Sequence, residues 1–352
     1  MFKYALAAIF SALIALTTAP AAQAAAPGHT ASKKHTVKHA AAKGGRGKAR
    51  AVASARPRTG KVIINVRGKR VVSYRPVRSA NFVAIPRSAG DAAGLNLTPD
   101  QVGLASNVAF VLDQTSSEVL FEKNANVALP IASITKLMTG LVVVQAQQDM
   151  HEMISITEGD IDHEKHTSSR LNVGARMSRG DLLHIALMSS ENRAASALGR
   201  NYPGGISAFV EAMNAKARQL GMADTRYVDA NGLSSRNVAS ARDLAKLAIA
   251  AYQEPLLREY STDPKYQVDA GGRLMHYSNT NYLVASPDWD IGLQKTGFIN
   301  EAGRCLVMQA MIQGRAVIMV FLDSKGKQSR TADAGRMRRW LEQLQLRAPG
   351  LG

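Results

Sequence analysis

The sequence is poor in three features: cysteine, long apolar runs and, near its start, acidic residues. Cys305 is the only cysteine among 352 residues, so no intrachain disulfide can form. Beyond the first 24 residues, no stretch is long and apolar enough to cross a membrane. No aspartate or glutamate precedes Asp91, whereas residues 1–90 hold 17 lysines and arginines. The rest of the chain holds 27 basic and 27 acidic residues, so the net charge of +17 belongs to an N-terminal arm.

The first 24 residues have the pattern of an export signal. Lys3 supplies a positive charge, residues 4–16 form an apolar run, and Ala22-Gln23-Ala24 is a small-x-small cleavage site. The apolar run is shorter than the roughly 20 residues that span a bilayer, which favours cleavage after Ala24 over an uncleaved anchor. We therefore expect a mature protein in the periplasm.

Residues 25–90 are expected to form a basic, largely disordered arm. Up to about residue 60 the segment offers too little apolar surface to offset the entropy of ordering it. Two β-like runs, 62–66 and 70–77, flank Arg67-Gly68-Lys69, a pattern that fits either a small hairpin at 61–77 or an unstructured segment. The charge of the arm resembles that of nucleic-acid-binding tails. Because an exported chain rarely meets DNA, we expect anionic polymers of the wall or membrane surface as partners, and no nucleic acid.

The hydrophobic pattern of residues 91–348 predicts an α/β domain of the α+β type. Strands are predicted at 107–112 and 118–122 and again at 291–298, 303–312 and 315–322. Helices are predicted from Ala132, at 178–188, at 206–220, from Ser240 and, at the end, through Met337, Trp340, Leu341 and Leu344. Since strands occur at both ends of this region, we expect one antiparallel sheet built from both ends and flanked by helices, with a helical subdomain.

Ser133-Ile134-Thr135-Lys136 contains the elements of an activated nucleophile. At the start of a helix, positions i and i+3 share a face, so the Lys136 amine can lie beside the Ser133 hydroxyl. A serine needs a neighbouring base, and a lysine can act as one if burial lowers its pKa. The pattern is common by chance, and its alternative is an ordinary helix start.

Two further motifs offer substrate-binding groups. Ser190-Glu191-Asn192 follows a predicted helix, and on a loop its Ser and Asn can both point into a cleft, one relaying protons and the other holding an amide. Lys295-Thr296-Gly297 lies in a predicted strand. There a Lys and a Thr can bind a carboxylate, while the glycine lets a substrate lie close to the backbone. Each of these motifs is weak when taken alone.

Together the three motifs match, in order, the S-x-x-K, S-x-N and K-T-G signatures of penicillin-binding proteins and serine β-lactamases. The surrounding sequence resembles the low-molecular-mass penicillin-binding proteins, in particular their D-alanyl-D-alanine endopeptidase branch, over roughly residues 100–346. The stretches that carry the resemblance are PIASITKLMTG (130–140), LMSSENRAASALG (187–199), NAKARQLGM (214–222) and QKTGFINEAGRCLVM (294–308). The resemblance implies a serine β-lactamase/D,D-peptidase-like fold, peptidoglycan peptides as substrate, β-lactams as covalent inhibitors, and neither metal nor cofactor.

The resemblance also implies a role for each motif residue. Ser133 would be the acylated nucleophile, Lys136 its base, Ser190 a proton relay toward the leaving group, and Asn192 the group that orients the peptide. Lys295 and Thr296 would bind the terminal carboxylate of the substrate beside Gly297, and the backbone N–H groups of Ser133 and Phe298 would form the oxyanion hole. Ile299 stands where the family pattern leads us to expect a small polar residue, which leaves the fine substrate preference open.

Two absences narrow the expected reaction. The Glu-x-x-x-Asn arrangement that activates a deacylating water in class A β-lactamases is missing, since Glu211-Ala212-Met213-Asn214 is one residue short. Penicillin should therefore acylate Ser133 and leave slowly. The chain has one helix after the last strand and lacks the C-terminal domain of the membrane-anchored carboxypeptidases. This favours an endopeptidase that cuts D-Ala–diamino acid cross-links, with a D-alanyl-D-alanine carboxypeptidase as the alternative and an inactive penicillin-binding scaffold as a weaker one.

Two other features are given structural interpretations. His163-Glu164-Lys165-His166 does not have the spacing of a helical metal site, so no metal is expected there. Cys305 lies in an apolar strand, which favours a buried, unreactive thiol over a nucleophile.

Overall fold

The computed structural model describes residues 59–66, 69–76 and 88–347, with side chains described from Ser88 to Leu344. The proposed signal and most of the arm lie outside these residues. Strands β1 (Thr59–Val66) and β2 (Lys69–Pro76) pair antiparallel, and they belong to a different unit of the chain from the domain that follows. Within the described ranges, no helix combines the length and hydropathy that a membrane crossing requires.

The domain is built around a five-stranded antiparallel sheet. Its strand order is β11-β12-β13-β3-β4, so the two ends of the domain sequence meet in one sheet, as predicted. Gln313 and Gly314, both with positive φ, form the tight turn between β12 and β13. The strands of the domain are β3 (Ser106–Asp113), β4 (Val119–Lys123), β5 (Leu129–Pro130), β6 (Met153–Ser155), β7 (Arg176–Ser178), β8 (Val238–Ala239), β9 (Lys265–Asp269), β10 (Leu274–Ser278), β11 (Asp290–Ile299), β12 (Gly303–Ile312) and β13 (Arg315–Ser324).

Eight α-helices surround the sheet within residues 88–347. They are α1 (Ala89–Ala92), α2 (Thr135–Gln145), α3 (Arg179–Met188), α4 (Asn192–Arg200), α5 (Gly205–Gln219), α6 (Ala241–Tyr252), α7 (Pro255–Thr262) and α8 (Ser329–Arg347). Helices α4 and α7 were not predicted, because eight or nine residues show too few turns of periodicity to stand out. The predicted helix from Ala132 begins as a 3-10 turn, Ala132–Ile134, and continues as α2.

Both faces of the sheet are covered, which explains the continuous apolar runs of its central strands. One face packs against the helical part of the domain and includes Phe110 and Val320. The other face lies under α8 and includes Met319 and Met337. Helix α2 is buried along its whole length up to Val143, because the surrounding helices enclose it. The N-terminus of this central helix is therefore held rigidly beside the edge strand β11.

Candidate active site

Ser133 lies in the 3-10 turn that leads into α2, at the point where the turn meets β11. The turn is tightly fixed: Ile131 N–H donates to the Asn237 carbonyl (3.1 Å), and the Thr135 hydroxyl donates to the Ala132 carbonyl (2.8 Å). Ala132 has φ +48°, a left-handed conformation that is unfavourable for a residue with a Cβ. Such strain persists only where the surroundings impose it, and it is common at functional sites.

The Lys136 amine sits at the centre of a small hydrogen-bond network. Its Nζ lies 2.9 Å from Ser133 Oγ, as the i, i+3 spacing predicts. It donates to Asn192 Oδ1 at 2.8 Å and to the Asn231 backbone carbonyl at 2.6 Å. Asn231 was not singled out in the sequence. A neutral amine has two N–H groups and one lone pair, so the two acceptors use both N–H groups and leave the lone pair for the Ser133 hydroxyl.

The electrostatic setting of Lys136 favours its neutral form. Complete burial lowers the pKa of the Lys136 ammonium group to about 7, although the negative charges of Asp229 and Glu191 act in the opposite direction. An ordinary lysine is almost entirely protonated at neutral pH. About half of the Lys136 side chains would be uncharged there and able to accept a proton.

The Ser190-Glu191-Asn192 motif occupies the turn between α3 and α4, and Asn192 is the first residue of α4 rather than a loop residue. Ser190 has φ +63°, a left-handed backbone conformation that is uncommon for a residue with a Cβ. Glu191 accepts a 2.6 Å hydrogen bond from the Ser169 hydroxyl, and the Asn192 amide donates to the Thr167 hydroxyl at 3.1 Å. Among residues 88–344, the Ser190 hydroxyl has no hydrogen-bond partner.

The Lys295-Thr296-Gly297 motif lies on β11, which is the edge of the sheet. Lys295 is fully buried, and its Nζ donates to the Thr296 carbonyl at 3.0 Å. Burial first, and the charges of Lys136 and Arg330 second, lower the pKa of Lys295 well below its usual value. Within the described domain this amine makes no ion pair, so an incoming carboxylate would find it without a competing anion.

Two glycines bring neighbouring chain segments against the backbone of Ser133 and the two residues before it. A Cβ on Gly297 would lie 2.9 Å from the Ile131 carbonyl oxygen and 3.2 Å from the Ser133 nitrogen. A Cβ on Gly232 would lie 2.0 Å from the Ala132 carbonyl oxygen, and Gly232 also has φ +81°. Only glycine permits these two approaches.

Three contributors to the site carried no clear signal in the sequence. The Asp229 carboxylate organises the turn that presents the Asn231 carbonyl, because it accepts hydrogen bonds from the backbone N–H groups of Asn231, Gly232 and Ser234. A hydrogen bond of 2.6 Å joins the hydroxyls of Thr280 and Thr296, and Thr280 N–H donates to the last residue of α3. The Arg330 guanidinium, on α8, donates to the Gly297 carbonyl at 2.8 Å.

The structure thus brings Ser133, Lys136 and Asn192 together through hydrogen bonds and places Gly297 in contact with the Ser133 backbone. Ser190, Lys295 and Thr296 have no hydrogen bond to Ser133 or Lys136 within the described residues. They border the same region from the α3–α4 turn and from β11, two segments that Thr280 connects. Phe298 follows on β11 with its side chain about half exposed. The arrangement places a serine hydroxyl beside a buried lysine amine, between a polar turn and the edge strand of the sheet.

Comparisons with known proteins agree with this chemistry. Residues 96–326 match the family model described as Peptidase_S11, D-alanyl-D-alanine carboxypeptidase. A D-alanyl-D-alanine endopeptidase of Pseudomonas aeruginosa is 48% identical over 75% of this chain and 85% of its own length. One from Escherichia coli is 43% identical over 70% of this chain and 80% of its own. Penicillin-binding protein D2 of Listeria monocytogenes, solved in a cefotaxime-bound form, superimposes with a TM-score of 0.61 at 29% identity, covering 68% of this chain and 98% of that one.

The fold and the reaction class follow from these matches. The antiparallel sheet with its helical part is the serine D,D-peptidase fold of penicillin-binding proteins, as the motif order predicted. The relatives are named as D-alanyl-D-alanine endopeptidases and the family as carboxypeptidases, so the chain is a serine D,D-peptidase. This chain belongs to the peptidase S11 family of D-alanyl-D-alanine carboxypeptidases.

Proposed function

We propose that the protein cuts the D-Ala–diamino acid cross-links of peptidoglycan through an acyl-enzyme on Ser133. The observation that carries the proposal is the network around Lys136, whose Nζ lies 2.9 Å from Ser133 Oγ. Two hydrogen-bond acceptors occupy the N–H groups of the amine, and burial lowers its pKa to about 7. The endopeptidase names of the P. aeruginosa and E. coli relatives support this choice of bond.

Acylation begins when neutral Lys136 takes the proton of the Ser133 hydroxyl. Ser133 Oγ then bonds to the carbonyl carbon of D-Ala, and the carbonyl oxygen becomes an oxyanion. The backbone N–H groups of Ser133 and Phe298 hold this charge in the proposed oxyanion hole. The close contact of Gly297 with the Ser133 nitrogen supports this role, because it fixes one strand edge against the start of α2.

Collapse of the intermediate breaks the C–N bond and requires a proton on the leaving amine. We assign that delivery to the Ser190 hydroxyl, whose free hydrogen-bonding capacity leaves it available to relay a proton from Lys136. Asn192 accepts a hydrogen bond from Lys136 through its Oδ1 atom. Its side-chain amide thus stays near the cleft, where it orients the peptide. Water then attacks the ester, with Lys136 again neutral and able to serve as its base.

The substrate carboxylate binds at Lys295 and Thr296 in this proposal. Lys295 is buried and has no anionic partner in the described domain, so a carboxylate would restore its ordinary protonated state. The Thr296 hydroxyl is held in place by Thr280. β-Lactams, which carry a carboxylate beside a reactive amide, fit the same groups and would form a long-lived ester.

The test is digestion of purified cross-linked peptidoglycan fragments, with chromatographic separation of the products. Loss of peptide dimers without release of free D-Ala is expected. Ser133→Ala should abolish both this cleavage and covalent labelling by benzylpenicillin, whereas Ser207→Ala, at an exposed serine on α5, should leave both intact. Labelling that persists in Ser133→Ala would refute the assignment of the nucleophile.

A D-alanyl-D-alanine carboxypeptidase remains the second candidate, because the family description names that activity. The same digestion distinguishes the two reactions. Release of free D-Ala from uncross-linked peptides, with dimers left intact, would establish the carboxypeptidase instead.

We also propose the processing and location expected from the sequence: removal of residues 1–24, a basic arm over 25–90, and a catalytic domain over 91–348 in the periplasm. The arm would bind anionic polymers of the wall or membrane surface through its 16 lysines and arginines beyond Lys3. Deletion of residues 25–88 should weaken binding to isolated wall material at low salt. Unchanged binding would contradict this role.

A further inference from the structure

A polar cleft of about 510 Å³ lies where β11 ends, next to the proposed oxyanion residue Phe298. Its walls come from the β11–β12 turn and from the segment that follows β13. The side chain of Arg304, which pairs with Phe298 across the two strands, lies 4.5 Å above the Phe298 ring. Lys325 and Lys327 complete the opposite wall. The cleft thus begins at Phe298 and extends away from the Lys295-Thr296 part of the strand.

The accessible charge in this cleft is positive. Two acids line it, but Asp91 faces Lys325 at 2.5 Å, and Asp323 is buried and accepts hydrogen bonds from Ser88 and Asn107. Neither Arg304 nor Lys327 has a carboxylate partner within residues 88–344. The neighbouring Glu301 on the β11–β12 turn is paired with Lys165 at 2.6 Å, which limits its repulsion of an incoming anion.

The direction of a bound peptide follows from the proposed site. A substrate whose terminal carboxylate lies at Thr296 and whose scissile carbonyl lies at the Phe298 N–H runs along the edge of β11 toward Asn300. Edge strands bind extended peptides through their backbone and leave alternate side chains to meet pockets. The residues that precede the D-Ala in the donor peptide therefore reach the cleft of Arg304 and Lys327.

We propose that this cleft is a subsite for a carboxylate on the donor stem peptide, carried by the acidic residue that precedes the diamino acid. The proposal rests on the proposed function. Arg304 is suited to the role because its planar guanidinium is held over the Phe298 ring and still offers N–H donors to a carboxylate. Lys327 adds a second charge that can approach the same group.

The experiment compares two cross-linked peptide dimers that differ only in the donor D-glutamate, which carries either a free carboxylate or its amide. The wild-type protein should cleave the free-carboxylate dimer with a kcat/KM about threefold to tenfold higher, the range expected for two partly exposed charge contacts. The double variant Arg304→Gln/Lys327→Gln should cleave both dimers at similar rates. The matched variant Arg218→Gln/Lys265→Gln removes two exposed charges elsewhere and should keep the wild-type ratio.

The ratio of the two rates separates this subsite from the chemistry at Ser133. Equal wild-type rates for the two dimers, or a preference that survives in the Arg304/Lys327 variant, would overturn the subsite. A wild-type protein that benzylpenicillin does not acylate would instead overturn the proposed function. High salt should reduce the wild-type preference for the free-carboxylate dimer, because salt screens exposed charge contacts. A preference that does not change with salt would also count against the subsite.

Discussion

The lowered pKa of Lys136 predicts how acylation depends on pH. The perturbation is the pH itself, varied from 5.5 to 9 with benzylpenicillin as the acylating agent. In the proposed mechanism Lys136 must be neutral to take the proton of Ser133, and burial lowers its pKa to about 7. The acylation rate constant should therefore rise with pH, pass its midpoint near 7 and level off above 8.

The size of the effect follows from the neutral fraction. With a pKa of about 7, this fraction is about 10% at pH 6 and about 90% at pH 8, which predicts a nearly tenfold increase in rate. An ordinary lysine with a pKa near 10.4 would be neutral in only about 0.04% of molecules at pH 7, on the order of 1,000-fold less. Such a lysine would give a rate that still rises tenfold per pH unit at pH 8.

The assay is stopped-flow or gel-based labelling under second-order conditions. Glu191→Gln should move the midpoint to lower pH, because the Glu191 charge favours protonated Lys136, and the amide can still accept the Ser169 hydrogen bond. Glu211→Gln, at an exposed glutamate on α5, serves as the control. A rate that is flat between pH 6 and 8, or one that still climbs above pH 9, would refute Lys136 as the base with a burial-lowered pKa.

Two further predictions concern the supports of the site. Gly232→Ala should slow acylation about 100-fold, because its Cβ would displace the Ala132–Ser133 backbone. The control Gly272→Ala, at a glycine with a similar φ and open space around it, should be labelled by benzylpenicillin at the normal rate. Normal labelling of the Gly232→Ala variant would contradict the predicted contact. Thr280→Val should lower the free energy of unfolding by about 1 kcal/mol in a urea titration and raise KM for carboxylate-bearing substrates, because the buried Thr296 hydroxyl loses its partner. An unchanged KM would exclude a positioning role for Thr280.

The sheet and the order of the motifs could be predicted from the sequence because both depend on local patterns. Strands were predicted at 303–312 and 315–322, and β12 and β13 reproduce them within two residues. Their apolar runs are long, and the Gln313-Gly314 turn has the composition that such hairpins require. The spacing of Ser133 and Lys136 likewise predicted a contact that the structure has at 2.9 Å.

The parts that could not be predicted depend on groups far apart in the chain. Asn231 contributes a backbone carbonyl to Lys136, and any residue type offers one. Thr280 acts through a single hydroxyl, 16 residues before Thr296, and short Thr-containing turns are common. The pKa of Lys136 depends on complete burial, which arises only when several helices pack around α2. A sequence motif therefore identifies the groups that are present, whereas their pKa values depend on tertiary packing.

Backbone contacts fix the position of Ser133, the proposed nucleophile, and this changes which substitutions should matter most. Gly232 and Gly297 approach the same short segment, Ile131–Ser133, from two separate parts of the chain. Because neither glycine has a Cβ, the Asn231 carbonyl can reach Lys136 and β11 can lie against the Ser133 nitrogen at the same time. A methyl group at Gly232 would separate these parts by about an ångström or more, and one at Gly297 by about half an ångström, whereas truncation of a polar side chain removes one contact and leaves the spacing intact. The geometry of the proposed oxyanion hole therefore depends on two residues that have no side chain.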